Sequence, residues 1–244
     1  MKKLAILLAM GLVLALAGCG QTADEPNEPE TTRPEGSDVT HVLPPPSTTG
    51  NISVEQALAA RRSRRDFDAG RALTPAQLGQ ILWAAYGITQ PDPNPNLRGG
   101  LRTTPSAGAT FPLEIYAIVG NVEGIASGVY RYDAAEHMLI QVVEGDVRAQ
   151  LTEAALRQGM VQQAPVTVFF AAIMERATAV YGDRGMMYVH MEIGHAAQNV
   201  YLQAEAMGLG TCAVGAFIDE QLRDILRLPA EEVPLYLMPV GYVR

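Results

Sequence analysis

The chain has 244 residues, of which 48% are hydrophobic and 18% are charged, and its formal net charge is -8. This acidity argues against nucleic acid as a partner, because nucleic-acid backbones are bound mainly by basic side chains. The only lysines are Lys2 and Lys3, so the rest of the chain lacks the lysine that pyridoxal-phosphate chemistry, a Walker-type phosphate loop or a lysine general base would need.

Residues 1–18 have the pattern of a bacterial secretory signal. Two lysines precede an apolar run from Leu4 to Leu16, which is too short and wrongly flanked for a transmembrane helix. The following Leu-Ala-Gly-Cys resembles a lipoprotein lipobox, so we expect Cys19 to be acylated and to become the mature N-terminus. The alternative is an ordinary cleaved signal. As a lipoprotein, the molecule would lie in the bacterial cell envelope, periplasmic or on the outer-membrane face, and touch the membrane through its N-terminal lipid only.

Residues 19–50 are predicted to be a disordered tether that begins at the acylated cysteine. They are rich in Pro, Glu and Thr and poor in large apolar side chains, so they cannot bury enough surface to offset their chain entropy. The single folded domain is predicted to span residues 51–244.

Two capping boxes predict where helices begin in the first part of this domain. Ser-x-x-Gln at 53–56 and Thr-Pro-x-Gln at 74–77 are capping boxes, the second with Pro at the first helical position. Helical spacing of apolar residues continues to Tyr86, and Gly87 is a plausible stop. Residues 88–105 are then predicted to be a long Pro/Asn/Gly-rich loop, of the length of a lid or binding loop.

The rest of the domain alternates strands with helices. Strands are predicted at 113–119, 128–132, 138–143, 166–172, 211–217 and 235–243, and helices at 146–158, at 185–207 and from Asp219. Because the strands from 113 to 143 look antiparallel, the class is α+β, with a mostly antiparallel sheet flanked by helices. The helix at 185–207 is predicted to be buried and central, packing an apolar stripe that comprises Met187, Met191, Gly194, Gln198, Tyr201 and Leu202.

Common metal and thiol chemistries find little support. His190 and His195 are five residues apart, so a helix turns them away from one another and they do not readily share a metal. The His-x-Glu pattern lacks the Pro-Cys-x-x-Cys partner of zinc deaminases. With Cys19 acylated, Cys212 is left alone and cannot form an internal disulfide. We expect no metal site.

An arginine stretch at residues 61–65 runs against the overall charge. It has the sequence Arg-Arg-Ser-Arg-Arg. Arginine presents a planar fork of donors that binds phosphate bidentately, and Ser63 adds a hydroxyl. The stretch is therefore a candidate phosphate clamp, although arginines at a helix C-terminus also simply favour the helix dipole.

Two segments of small residues, 104–109 and 208–217, each lead towards a strand. Small side chains let backbone N–H groups approach a flat ligand closely. The alternative is that both segments are ordinary turns.

Taken in order, five segments resemble the FMN-dependent nitroreductase superfamily, especially its branch of azoline dehydrogenases from thiazole and oxazole peptide pathways. They are ARRSRRDF at 60–67, ILWAAYGIT at 81–89, RTTPSAGATFPLEIYAIVG at 102–120, the run YGDRGMMYVHMEIGHAAQNVYLQAEAMGLGTCAVGAF at 181–217, and PLYLMPVGYV at 234–243. The resemblance implies a homodimer with two FMN molecules at the subunit interface. It also implies that hydride passes through flavin N5, in a ping-pong cycle, to or from a small organic or peptide substrate.

The resemblance also assigns residues. It implies that the FMN phosphate and ribityl chain are contacted by Arg61, Arg62, Ser63 and Arg65. The segment that the other subunit lays on the flavin ring would be Pro105, Ser106, Ala107 and Gly108, and the backbone near the reactive face of the ring would come from Val214, Gly215 and Ala216. Many relatives also use basic residues beyond the last strand, where this chain has only Arg244.

Tyr181 and Arg184 match the catalytic region of the azoline-oxidising branch. Those relatives carry a Lys-Tyr pair where this chain has Val180-Tyr181, so the lysine that could remove a proton is missing and azoline oxidation is not expected. An exported enzyme would also meet little NAD(P)H, which favours a quinone or a redox protein as electron partner. The competing hypothesis is a lipoprotein that uses the flavin fold to bind a ligand without catalysis.

Overall fold

The structure is a computed structural model that describes residues 39–244. The predicted signal at 1–18, Cys19 and the tether as far as residue 38 lie outside the described residues. Among residues 39–244, no helix combines the length and the apolar character needed to cross a bilayer.

Nine strands and seven α-helices make up the described chain. The strands are β1 (Thr40–Val42), β2 (Ile88–Pro91), β3 (Gly100–Arg102), β4 (Leu113–Val119), β5 (Gly128–Asp133), β6 (Met138–Glu144), β7 (Val166–Ile173), β8 (Gly210–Thr211) and β9 (Glu232–Gly241). The helices are α1 (Val54–Ala60), α2 (Pro75–Tyr86), α3 (Arg148–Ala154), α4 (Met160–Gln163), α5 (Glu175–Tyr181), α6 (Arg184–Ala206) and α7 (Asp219–Leu226).

The central sheet has seven strands in the order β1-β6-β5-β4-β7-β9-β8, and every neighbouring pair is antiparallel. Helices α2 and α6 cover one face, and α3, α4 and α7 cover the other. Strand β4 shows the two-sided burial, because Ile115 packs in one core and Tyr116 and Ile118 pack in the other. The predicted α+β class, with a mostly antiparallel sheet flanked by helices, is confirmed.

The long helix α6 is central, but its buried face differs from the predicted stripe. The buried residues are Gly185, Val189, Glu192, Ile193, Ala196, Ala197, Val200 and Ala204. Met187 and Met191, predicted to be core residues, are 45% and 50% exposed. The assignment of these methionines to the core of the chain is wrong, and α6 instead presents an apolar surface outwards.

The folded domain also begins before residue 51. Strand β1 pairs with β6 in register, Thr40 opposite Ile140 and Val42 opposite Met138. Leu43 is only 3% exposed, and Ser47 donates its N–H to Gln80 Oε1 at 2.8 Å. The part of the predicted tether from residue 39 to 47 therefore packs on the domain.

Three further boundaries differ from the sequence prediction. The loop at 88–105 contains the β2–β3 hairpin. The predicted helix at 146–158 ends at Ala154, because Leu156 and Arg157 adopt left-handed conformations with φ of 56° and 60°. The predicted strand at 211–217 is reduced to β8 and an isolated bridge between Val214 and Leu237.

Candidate cofactor site

The arginine stretch is an extended segment along one edge of the sheet. Helix α1 starts at a Ser53 capping box and ends at Arg61, whose N–H donates to Ala57 O. Beyond it, Arg64 N–H donates to Thr211 O at 2.9 Å and Phe67 pairs with Val243. Because Phe67 is fully buried, it anchors the segment against the sheet.

The guanidinium groups of this stretch differ in their contacts. Nη1 of Arg62 donates to Arg61 O at 2.7 Å and to Ala59 O at 3.1 Å. Arg62 and Arg65 are exposed, whereas Arg61 is half-buried with its guanidinium carbon 5.3 Å from the centre of the Tyr201 ring. None of them belongs to an ion pair formed within residues 39–244. The stretch therefore offers positive charge that no described carboxylate neutralises, as an anion-binding clamp requires.

Tyr201 ties the clamp to the second candidate segment. Its hydroxyl accepts a hydrogen bond from Ala213 N–H at 2.8 Å and lies 3.1 Å from Ser63 Oγ. One side chain of α6 therefore reinforces the backbone link between the arginine stretch and the segment that leads to residues 214–216. The apolar stripe predicted from the sequence placed Tyr201 in the core and did not indicate this role.

Residues 214–216 present backbone to the same edge. Val214 is buried and exchanges two hydrogen bonds with Leu237, at 2.8 and 3.0 Å. Gly215 and Ala216 are exposed, and no described residue accepts a hydrogen bond from either N–H. A Cβ on Gly215 would lie 3.2 Å from the Tyr236 ring, so glycine suits this turn. These two N–H groups can serve a ligand.

Arg244 joins the same group of residues, because its N–H donates to Asp66 O at 3.3 Å. The structure thus brings together the predicted residues 61–65, 214–216 and 244 at the β8–β9 edge.

Residues 105–108 run along α6 towards Tyr181, which precedes that helix. Asn199 holds the start of this segment through Thr104 Oγ1 at 3.0 Å. Gly108 has a φ of +57°, and a Cβ there would lie 2.4 Å from the Tyr181 hydroxyl oxygen. The predicted catalytic Tyr181 is therefore in close contact with this segment. The Tyr181 ring packs edge-on against Tyr188 at 5.0 Å, and the guanidinium carbon of Arg184 is 5.8 Å from that second ring.

A buried carboxyl group that was not predicted from the sequence contacts the segment at residues 105–108. Glu192 is 3% exposed and accepts a hydrogen bond from the Tyr86 hydroxyl at 2.5 Å. Burial raises the pKa of Glu192, while hydrogen bonds from the Tyr86 and Ser106 hydroxyls oppose that rise. Burial raises the Tyr86 pKa as well, and the neighbouring Glu192 carboxyl adds to it. The sequence signal for this buried hydrogen-bonding role is a glutamate at a position that helical spacing places on the buried face of α6.

Within one chain the two halves of the candidate site contact different parts of α6. The clamp meets Tyr201, whereas Ser106 meets Glu192, nine residues earlier and about 13 Å away along the helix axis. The start of the second segment lies nearer to the clamp, because Asn199, two residues before Tyr201, donates to Thr104 Oγ1 at 3.0 Å.

The histidines show no sign of metal chemistry. His190 Nδ1 lies 2.7 Å from Met186 O, and His195 is exposed. In the part of the chain that the structure describes, no three His, Cys, Asp or Glu side chains are grouped closely enough to hold a metal ion.

Comparison with known proteins identifies the family. The Nitroreductase family profile matches residues 58–242, which include both halves of the candidate site. The chain belongs to the nitroreductase family. A nitroreductase-like protein of Methanocaldococcus jannaschii is 48% identical over 190 residues, which are 78% of this chain and 91% of that protein.

Solved nitroreductase-fold structures agree with this assignment. A structure assigned to the nitroreductases, from Ralstonia eutropha JMP134, is 28% identical with a TM-score of 0.71, covering 84% of this chain and 90% of that one. A chain of the E. coli microcin synthetase McbBCD complex, solved with a truncated pro-MccB17 bound, is 23% identical with a TM-score of 0.64, covering 84% of this chain and 78% of that one. The second similarity shows the fold alone. Nitroreductase membership supports an oxidoreductase activity for this chain.

Proposed function

We propose that this nitroreductase is an FMN-dependent oxidoreductase that transfers hydride to or from a small organic or peptide substrate. The observation that carries the proposal is the convergence of unpaired arginines, unused backbone N–H groups and Arg244 at the β8–β9 edge. FMN, when bound, would supply a flavin N5 that accepts and releases hydride.

The residues present fit the chemistry of that cofactor. Exposed Arg62 and Arg65 are suited to a phosphate, because no described carboxylate competes for them. The N–H groups of Gly215 and Ala216 are suited to the polar edge of a flat ring, which a glycine-containing turn can approach closely. Tyr201 would reinforce the link between these two groups.

A homodimer would complete the site. The outer face of α6 exposes Met187 and Met191 at 45% and 50%, and the preceding Val180 is 61% exposed. Contiguous exposed apolar side chains of this kind favour a protein interface. A second copy on this face would let residues 105–108 of one subunit and the clamp of the other face the same flavin, as the resemblance to the nitroreductase superfamily implies.

Tyr181 and Arg184 are the residues we propose for substrate-side chemistry. The Tyr181 hydroxyl lies against Gly108 and can donate or accept a proton there. The position before it is Val180, so this chain supplies no lysine base at that point, and azoline oxidation is not proposed.

The cellular setting remains that expected from the sequence. We propose acylation of Cys19, attachment to the cell envelope through this lipid, and a quinone or redox protein as electron partner. Rapid steady-state reduction by NADPH would contradict the last point.

An absorbance spectrum of the purified full chain, with the released chromophore identified by chromatography, tests the central proposal. We expect yellow protein that releases one FMN per chain and is bleached by a quinol or a redox-protein donor. Arg62→Gln should weaken FMN binding, whereas Arg157→Gln, at an exposed surface pair, should not. Colourless protein that refuses added FMN would refute the cofactor. Bound FMN that no donor reduces would favour the non-catalytic binding protein.

A further inference from the structure

A second cluster of arginines surrounds a cavity of about 170 Å³. The cavity lies where β4 begins and β5 ends, beside the β2–β3 hairpin and the start of α5. Its charged lining comprises Arg98, Arg102, Arg131, Arg176, Glu114 and Asp133. None of these residues belongs to the candidate cofactor site.

The two carboxylates of the lining are already occupied. Glu114 pairs with Arg176 at 2.6 Å. Asp133 Oδ1 accepts the N–H groups of Ala135 and Glu136 at 3.0 and 3.2 Å, which fixes it to the following turn. Within residues 39–244, Arg98, Arg102 and Arg131 form no ion pair. The cavity therefore has an excess of positive charge in a chain whose net charge is -8.

Arg102 is held rigidly in this wall. Its guanidinium carbon lies 4.6 Å from the centre of the Tyr86 ring and 5.1 Å from that of Phe111. One Nη donates to Tyr86 O at 2.9 Å and the other to Arg98 O at 3.1 Å. These contacts place a fixed cation beside the cavity, and they also fix the backbone of Arg98.

Arg98 itself adopts a left-handed conformation, with φ of 47° and ψ of 49°. Such a conformation costs a non-glycine residue free energy and is typically retained where the surroundings or a function require it. Burial lowers the Arg98 pKa, and repulsion from Arg176 and Arg102 lowers it further. An anion placed among these groups would relieve that repulsion.

We propose that this cavity binds a small oxyanion, either inorganic phosphate or the carboxylate of a short organic acid. The guanidinium forks of Arg98 and Arg131 would grip the oxygens, and Arg102 would add a fixed positive charge. At about 170 Å³ the cavity is smaller than the roughly 300 Å³ at which sites for drug-sized ligands begin, so its size suits a small anion better than a whole dinucleotide or flavin.

Calorimetric titration of the purified full chain with phosphate, and separately with succinate, tests the proposal at low ionic strength. We expect at least one of the two anions to bind, and the identity of that anion decides between the two sources. Arg98→Gln should weaken this binding about tenfold or more, because a charge-assisted hydrogen-bond partner is lost. Arg131→Gln should act in the same direction and serves as a second variant if Arg98→Gln does not fold.

Arg227→Gln is the matched control. Arg227 is also a helix-capping arginine in the left-handed region, with φ of 50° and ψ of 48°, but it lies outside the cavity lining. This variant should bind the anion as the wild type does. Arg62→Gln distinguishes the cavity from the clamp at residues 61–65. The proposal is overturned if neither anion binds at about 10 mM, if Arg98→Gln binds normally, or if Arg62→Gln alone abolishes the heat of binding.

Discussion

Removal of the Tyr201 hydroxyl is the sharpest test of how the candidate cofactor site is built. In Tyr201→Phe the ring remains, and so does its stacking with Arg61. The Ala213 N–H, which donates at 2.8 Å, loses its acceptor, and Ser63 Oγ loses a partner at 3.1 Å. The backbone bond from Arg64 N–H to Thr211 O would remain, so residues 61–65 and 213–216 would lose one of the links between them.

The size of the effect follows from the two contacts. A hydrogen bond of this kind contributes about 1 kcal/mol, and a half-buried N–H left without an acceptor costs somewhat more. We therefore expect Tyr201→Phe to lose about 1 to 2 kcal/mol of unfolding free energy, and to weaken FMN binding about tenfold, since 1.4 kcal/mol corresponds to one factor of ten.

Two measurements check these values: urea unfolding, and titration of the flavin-free protein with FMN followed by flavin fluorescence. Tyr188→Phe is the matched control, since Tyr188 lies on the same helix and its hydroxyl makes no hydrogen bond with a described residue. A double-mutant cycle that combines Tyr201→Phe with Ser63→Ala should show that their losses of unfolding free energy are not additive. Equal FMN affinity in Tyr201→Phe and the wild type, or an equal loss in Tyr188→Phe, would refute the proposed role.

Three further predictions follow from other contacts. Gly108→Ala should cost about 1 kcal/mol of stability because Gly108 has a left-handed φ. It should also lower the turnover number, because the new Cβ would clash with the Tyr181 hydroxyl. Gly124→Ala is the control, since Gly124 has a similar φ and no atom within 4 Å of the new Cβ, and it should show the stability loss alone. Burial raises the Glu232 pKa to about 7, so the native carboxyl holds its proton more tightly than the unfolded one. Its contribution is complete below about pH 4.5 and is lost by about pH 7, a change of about 3 kcal/mol that Glu232→Gln should remove from urea unfolding curves. Met187→Gln together with Met191→Gln should shift the protein from dimer to monomer in sedimentation velocity.

Controls separate these effects from general damage. Leu156→Gln changes a side chain that is 56% exposed on another surface, and it should leave the sedimentation coefficient unchanged. For Glu232→Gln, the Tyr116 hydroxyl can still donate to the amide oxygen that replaces Oε2, at 2.8 Å in the wild type. A pH profile of stability that is identical in wild type and Glu232→Gln would show that another group titrates.

Most of the fold could be predicted from local sequence patterns, because the apolar runs of the strands and the capping boxes of the helices are strong signals. Strand β4 is an almost unbroken apolar run, as expected for a strand covered on both faces, and both capping boxes formed as predicted. Strand β1 escaped prediction, since three residues carry little pattern and its partner β6 lies about a hundred residues away. The buried face of helix α6 was predicted wrongly because half of its buried residues are glycine or alanine, whereas the larger methionines lie outside.

The candidate site likewise has parts that could be predicted from the sequence and parts that could not. The arginine stretch, residues 105–108 and residues 214–216 were recognisable as short segments. Tyr201 and Glu192 were not, because each acts on a partner about 100 residues or more away in the chain. Such pairings depend on the packing of α6 against α1 and α2, which no local pattern specifies.

The position of β1 has a practical consequence. A recombinant protein that starts at residue 51 would lack this strand, and the unpaired edge of β6 would be open to edge-to-edge aggregation. Expression should therefore begin no later than residue 39. The strand also lies at the opposite edge of the sheet from β8, so the point where the N-terminal segment joins the domain is separated from the candidate cofactor site by the whole width of the sheet.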